Sequence, residues 1–127
     1  MDRYAIYKVI HLFAIALAFT AIGGLNVAVI NGATKASNQA RKLISALHGL
    51  ALFLLLLGGF GMLARLGIAN GGLASFPGWL WAKLALWVLL GGIVAVPYRK
   101  PELARPLFWA TPVIALVAAW LAIYKPF

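Results

Sequence analysis

LISALHGLALFLLLLGGFGMLARL, the stretch from Leu43 to Leu66, decides the class of this chain. Between Lys42 and Arg65 it holds no Lys, Arg, Asp or Glu, and its only polar side chains are Ser45 and His48. It is at least as long as the ~20 apolar residues that a helix needs to cross a bilayer. Three further blocks of the same kind surround it, Tyr4 to Ile30, Trp79 to Val96 and Leu107 to Tyr124. The sequence therefore predicts an all-α integral membrane protein, a four-transmembrane-helix antiparallel bundle with helices at about 4–30, 43–66, 79–96 and 107–124. The whole of residues 1–127 forms one domain, because the three connections are too short to hold another.

Composition agrees with that reading: 65% of the residues are hydrophobic and 10% charged, and the mean hydropathy is +0.98. A water-soluble core of this size could not bury so much apolar surface. Arg3 and Lys8 ahead of an apolar run resemble the start of a signal peptide, but the run exceeds the usual ~7–15 residues and lacks a small-x-small exit. The chain has no cysteine, which removes disulfides, thiolate catalysis and cysteine-held metal clusters together.

Charge placement sets an expected orientation. Lys35, Arg41, Lys42, Arg99, Lys100 and Arg105 lie in or beside the first and third loops, whereas Arg3, Arg65 and Lys125 sit near helix ends on the other side, with Lys8 and Lys83 deeper. By the positive-inside rule the first and third loops face the cytoplasm and both termini face outward, in a multi-pass protein of the bacterial inner membrane. The net charge of +9 reads as loop cations anchoring helices against anionic lipid, so the lipid bilayer is the expected partner and nucleic acid is not. Tyr4, Tyr7, Phe76, Trp79, Trp81, Tyr98, Phe108, Trp109, Trp120 and Tyr124 gather at the expected headgroup levels, while Trp87 lies deeper. Gly23 with Gly24, Ser45 with Gly49, Gly58 with Gly59 and Gly61, and Gly91 with Gly92 are candidate points of close helix approach.

Polar groups inside the slab carry the functional signal, because an ionisable side chain in hydrocarbon is costly and normally faces a partner or cavity. Lys8, His11, His48 and Lys83 are the strongest, with Thr20 and Asn26 behind them. At ~1.5 Å rise per residue His11 lies roughly 10 Å below the outer end of the first helix, and His48 roughly 25 Å below the same level on the second. One iron cannot reach both, so His48 is expected to bond a neighbouring carbonyl or hydroxyl, or to sit at the cytoplasmic interface. Lys83, about one turn into the third helix, falls near the depth of His11. Tyr4, Tyr7, Lys8 and His11 share adjoining parts of one helical surface, and Arg65 stands at the rim. The expectation is a cationic, aromatic-lined pocket in the outer half, suited to an anionic ligand such as a carboxylate-bearing porphyrin or a phospholipid headgroup. Snorkelling of Lys8 and Lys83 to headgroups, with His11 on a backbone carbonyl, is the alternative.

At these residues the chain resembles the small membrane protoporphyrinogen oxidases and their diverged relatives. The resemblance rests on Tyr7-Lys8-Val9-Ile10-His11, Trp81-Ala82-Lys83-Leu84, Thr111-Pro112 and the terminal Tyr124-Lys125-Pro126-Phe127. It implies a four-to-five-helix bundle, haem b as cofactor with His11 as its iron ligand, and Lys83 as a functional lysine, with Tyr7 and Arg65 lining the same cofactor site. The family's arginine late in the first helix is missing, Gly91-Gly92 stand in place of a further histidine, and Ala110-Thr111 replace an asparagine–glutamate pair. An active oxidase and a diverged relative on the same scaffold both remain open. So does a non-catalytic accessory subunit, packing against a larger membrane complex or a second copy of itself. Asp2 and Glu102 both lie outside the slab, so paired-carboxylate chemistry, a Ser-His-carboxylate triad and a carboxylate proton relay are unsupported, and no HExxH or phosphate-cradling loop occurs.

Overall fold

A computed structural model describes residues 2–127 and is all-α, without strands among the described residues. Its long helices are α1 (Arg3–Ile30), α2 (Arg41–Leu66), α3 (Gly78–Gly92) and α5 (Ala104–Tyr124), with the one-turn α4 (Val96–Arg99) between the last two. Four helical stretches, Arg3–Ile30, Arg41–Leu66, Gly78–Arg99 and Pro101–Tyr124, are long and apolar enough to cross a membrane.

Local chemistry explains where these elements begin and end. Asp2 caps α1, its carboxylate accepting from the Tyr4 amide at 3.1 Å, which satisfies one of the amides that the first helical turn leaves free. Gly67 ends α2 in the left-handed conformation at φ 71°, where a side chain would be strained. The third span runs one turn beyond the expected stop at Val96. A 3-10 turn at Ile93–Ala95 leads into α4, and Pro97 stands in the first turn of that helix, where its missing N–H costs nothing. For the same reason α5 begins at Ala104 rather than Leu107, with Pro106 in its first turn. Pro112 lies inside α5, and the preceding Thr111 turns its hydroxyl back onto the Leu107 carbonyl at 2.8 Å.

The helices form a four-membered ring. α1 packs most extensively on α2 and next on α5, α5 packs on α3, and α2 meets α3 at few points. Alanines are the reason for the first contact: Ala14, Ala18 and Ala21 of α1 and Ala51 of α2 are fully buried, and small side chains let backbones approach. At Gly58 the approach is closest, since a β-carbon there would stand 2.8 Å from both the His11 amide nitrogen and the Tyr7 carbonyl oxygen. A β-carbon on Gly61 would run into the Tyr7 ring. The other expected contact points differ: Gly23, Gly24, Gly49 and Gly92 have nothing within 4 Å of a built β-carbon.

Two apolar clusters lie at the two ends of the ring. Leu63, Trp79, Leu80 and Leu121 form one at the end that holds both termini and the second loop. Leu25, Val29 and Ala104, with Ile44, Val94 and Tyr98 against them, form the other. The outer faces are also apolar, with Phe13, Phe53, Trp109, Leu116 and Ile123 all exposed, a surface that water does not favour over such an area.

Candidate functional site

His11 faces α2. Its Nδ1 lies 3.0 Å from the Leu55 carbonyl oxygen, and because a carbonyl only accepts, Nδ1 carries the proton and Nε2 keeps its lone pair. Gly59 makes room for the ring: a β-carbon there would be 3.4 Å from His11 Cε1. Lys83 on α3 is close enough for its charge to act on that imidazole, and Lys125, at the end of α5, acts in turn on Lys83. The Lys125 ammonium stands 5.2 Å from the centre of the Trp79 ring, a cation–π distance, and donates to the Ala122 carbonyl at 2.6 Å. Lys83 thus lies within electrostatic range of both His11 and Lys125, the last of which sequence reasoning had placed only at a helix end.

The Leu63–Trp79–Leu80–Leu121 cluster packs at the end of the ring that holds these groups, and Tyr7, His11, Arg65 and Lys83 line neither the space beside His48 nor the groove between α3 and α5. Tyr7 is half-buried with its ring on Gly61, so its part is in joining α1 to α2. Arg65 is exposed in the last turn of α2. Lys8 is exposed as well.

His48 is buried and belongs to a different seam. Its Nε2 donates to the Leu90 carbonyl at 2.9 Å, the carbonyl partner that its depth suggested, and the Trp87 indole donates across the same α2–α3 seam to the Leu52 carbonyl at 3.0 Å. Along α2, His48 is ten residues from Gly58, the neighbour of His11, or ~15 Å at ~1.5 Å per residue. The two imidazoles therefore have separate partners, separate seams and separate depths. No group of three or more metal-ligating His, Asp or Glu side chains occurs among the described residues.

One cavity, of about 590 Å3, opens beside His48 at the end of the first and third loops; the other is an apolar groove between α3 and α5 around Gly92, Trp109 and Val113. Sequence reasoning assigned the loop cations to lipid anchoring and so missed the first cavity; no spacing rule reveals that Arg41 and Arg99, far apart in the chain, line the same space.

No protein-family model matches this chain, and neither a curated protein nor a solved structure is similar to it.

Proposed function

We propose that this chain is a multi-pass membrane protein on the scaffold of the small membrane protoporphyrinogen oxidases, and that it holds a carboxylate-bearing tetrapyrrole, haem b, through His11 and Lys83. Its first and third loops face the cytoplasm and its termini face outward, as the loop cations favour. The observation that carries the reading is the His11 imidazole: with Nδ1–H held by the Leu55 carbonyl, the ring is fixed in the tautomer that offers Nε2 to an iron. Lys83 and Lys125, with no acidic side chain in the neighbouring helices, supply the charge that propionates need.

The donors fit the group, and an apolar cluster of Trp79, Leu80, Leu63 and Leu121 packs together at the same end of the ring. Access requires the helices to part, and the α2–α3 seam is the weakest of the ring, joined by few backbone contacts and the two hydrogen bonds of His48 and Trp87. Haem b would supply redox-active iron when bound; His11 would hold the iron, and Lys83 and Lys125 would pair its propionates.

Absorption spectroscopy of the chain purified from haem-replete cells, followed by haemin titration, tests the reading. A Soret band is expected in the wild type. His11→Ala should shift or abolish that band, because it removes the imidazole that would hold the iron, whereas Lys83→Met should weaken haemin binding about tenfold, the loss expected for one hydrogen bond to a charged group, and leave the band position unchanged. A colourless protein that takes up no haemin, or a band indifferent to His11→Ala, overturns it. Stoichiometric co-purification of a colourless chain with a larger membrane complex would favour the accessory-subunit reading, which the exposed α3–α5 groove also suits.

A further inference from the structure

We propose that the cavity between the first loop, the start of α2 and the α3–α4 junction is a binding site for a phosphate group, either the headgroup of an anionic lipid or a free phosphate. It stands apart from the tetrapyrrole reading, at the opposite end of the ring.

Four cations line it, Lys35, Arg41, Lys42 and Arg99, together with the hydroxyls of Ser45 and Tyr98, and no acidic side chain is among the lining residues. Two of these cations are badly placed for the fold alone. Arg41 and Lys42 open α2, at the positive end of its dipole, in a first turn that has no acidic residue and no side-chain cap. Cations are unfavourable there and an anion is favourable. A phosphate in the cavity would relieve that conflict.

The polar groups are also arranged to donate. The Arg41 guanidinium donates one N–H to the Lys35 carbonyl at 3.2 Å, which steadies it and leaves its remaining N–H groups for a ligand. The Tyr98 oxygen accepts from the Asn38 amide at 2.8 Å, so its own O–H is free to donate outward. His48, only 6% exposed, forms part of the inner wall with Nε2–H engaged by Leu90, and its Nδ1 is left as an acceptor for a hydroxyl of the bound molecule. Deeper in, Leu25, Ile44 and Val94 give an apolar wall, so the space is amphipathic, basic at its mouth and greasy within. Basic pockets of this kind between helices on the cytoplasmic side suit anionic lipid headgroups.

Binding is measured on the full chain in a neutral maltoside, at fixed ionic strength, with two probes. Inorganic phosphate is titrated alone, and phosphatidylglycerol is titrated in mixed micelles against phosphatidylcholine. Binding of phosphatidylglycerol only identifies a lipid headgroup; binding of inorganic phosphate as well identifies the phosphate group itself, and both support the site. Arg41→Gln and Arg99→Gln should each weaken binding about fivefold, the factor equivalent to ~1 kcal/mol per basic residue. Arg105→Gln, which removes an exposed charge from the same loops but outside the cavity, should change it less than either. Arg99 makes no side-chain hydrogen bond among the described residues, so its variant stays informative if Arg41→Gln misfolds. Equal losses in all three variants would mean diffuse surface attraction and overturn the proposal, as would binding of neither probe above the phosphatidylcholine level.

Discussion

Gly58→Ala should damage this protein more than any other glycine-to-alanine change on α2 whose β-carbon meets backbone or open space. The added carbon would stand 2.8 Å from the His11 amide nitrogen, 2.8 Å from the Tyr7 carbonyl oxygen and 2.9 Å from the His11 α-carbon. All three are backbone atoms inside a helix, so no side-chain rotation can relieve the clash and α1 must move away from α2. Overpacking of this kind costs about 1–3 kcal/mol, and the rigidity of the neighbours places Gly58→Ala towards the upper end. Gly49→Ala is the control, because nothing lies within 4 Å of its β-carbon and both variants gain the same helix propensity, up to ~1 kcal/mol. Their difference therefore isolates the steric cost, ~1–3 kcal/mol. Denaturant titration or thermal unfolding in detergent measures it. The displacement should also lengthen the 3.0 Å contact between His11 and Leu55, so haemin affinity should fall with stability if His11 is an iron ligand. Equal stability of the two variants would refute the close α1–α2 approach on which the account of His11 rests.

Asn26 is 1% exposed and neither atom of its amide has a hydrogen-bond partner among the described residues; Asn26→Leu should therefore raise stability by about 1 kcal/mol or more, and a loss in the unfolding transition would mean that the amide has a bound partner. Trp87→Phe and His48→Phe each remove one donor from the α2–α3 seam and should cost about 1 kcal/mol apiece. If the seam is where the ring opens, the double variant should also take up haemin faster than the wild type in stopped-flow mixing; an unchanged rate would point to access elsewhere.

The helices were legible because hydrophobic length and charge placement act residue by residue along the chain. Leu43 to Leu66 is apolar without interruption by Lys, Arg, Asp or Glu until Arg65, and α2 spans it with two residues added at its start. The separation of His11 from His48 was legible on the same ground, since rise per residue is constant. Helix ends at prolines were less so: Pro97 and Pro106 both lie within first turns, and a proline there interrupts nothing.

What escaped the sequence is rotation about each helix axis and choice of neighbour. Every face of these helices is apolar, so no hydrophobic stripe indicates which side turns inward, as it would in a water-soluble bundle. Four glycine sites were equally good candidates for close approach, yet the steric fit selects Gly58 and Gly61 against α1 and leaves Gly49 beside the basic cavity. That one selection fixes the rest. Bringing Gly58 onto the backbone of α1 turns His11 towards Leu55 and presses Tyr7 onto Gly61. It also directs His48, ten residues earlier on α2 and so rotated by nearly three turns, towards α3 and the carbonyl of Leu90. The two histidines thus serve different neighbours, His11 of α1 bonding α2 and His48 of α2 bonding α3, and the polar chemistry of this chain divides between its two ends.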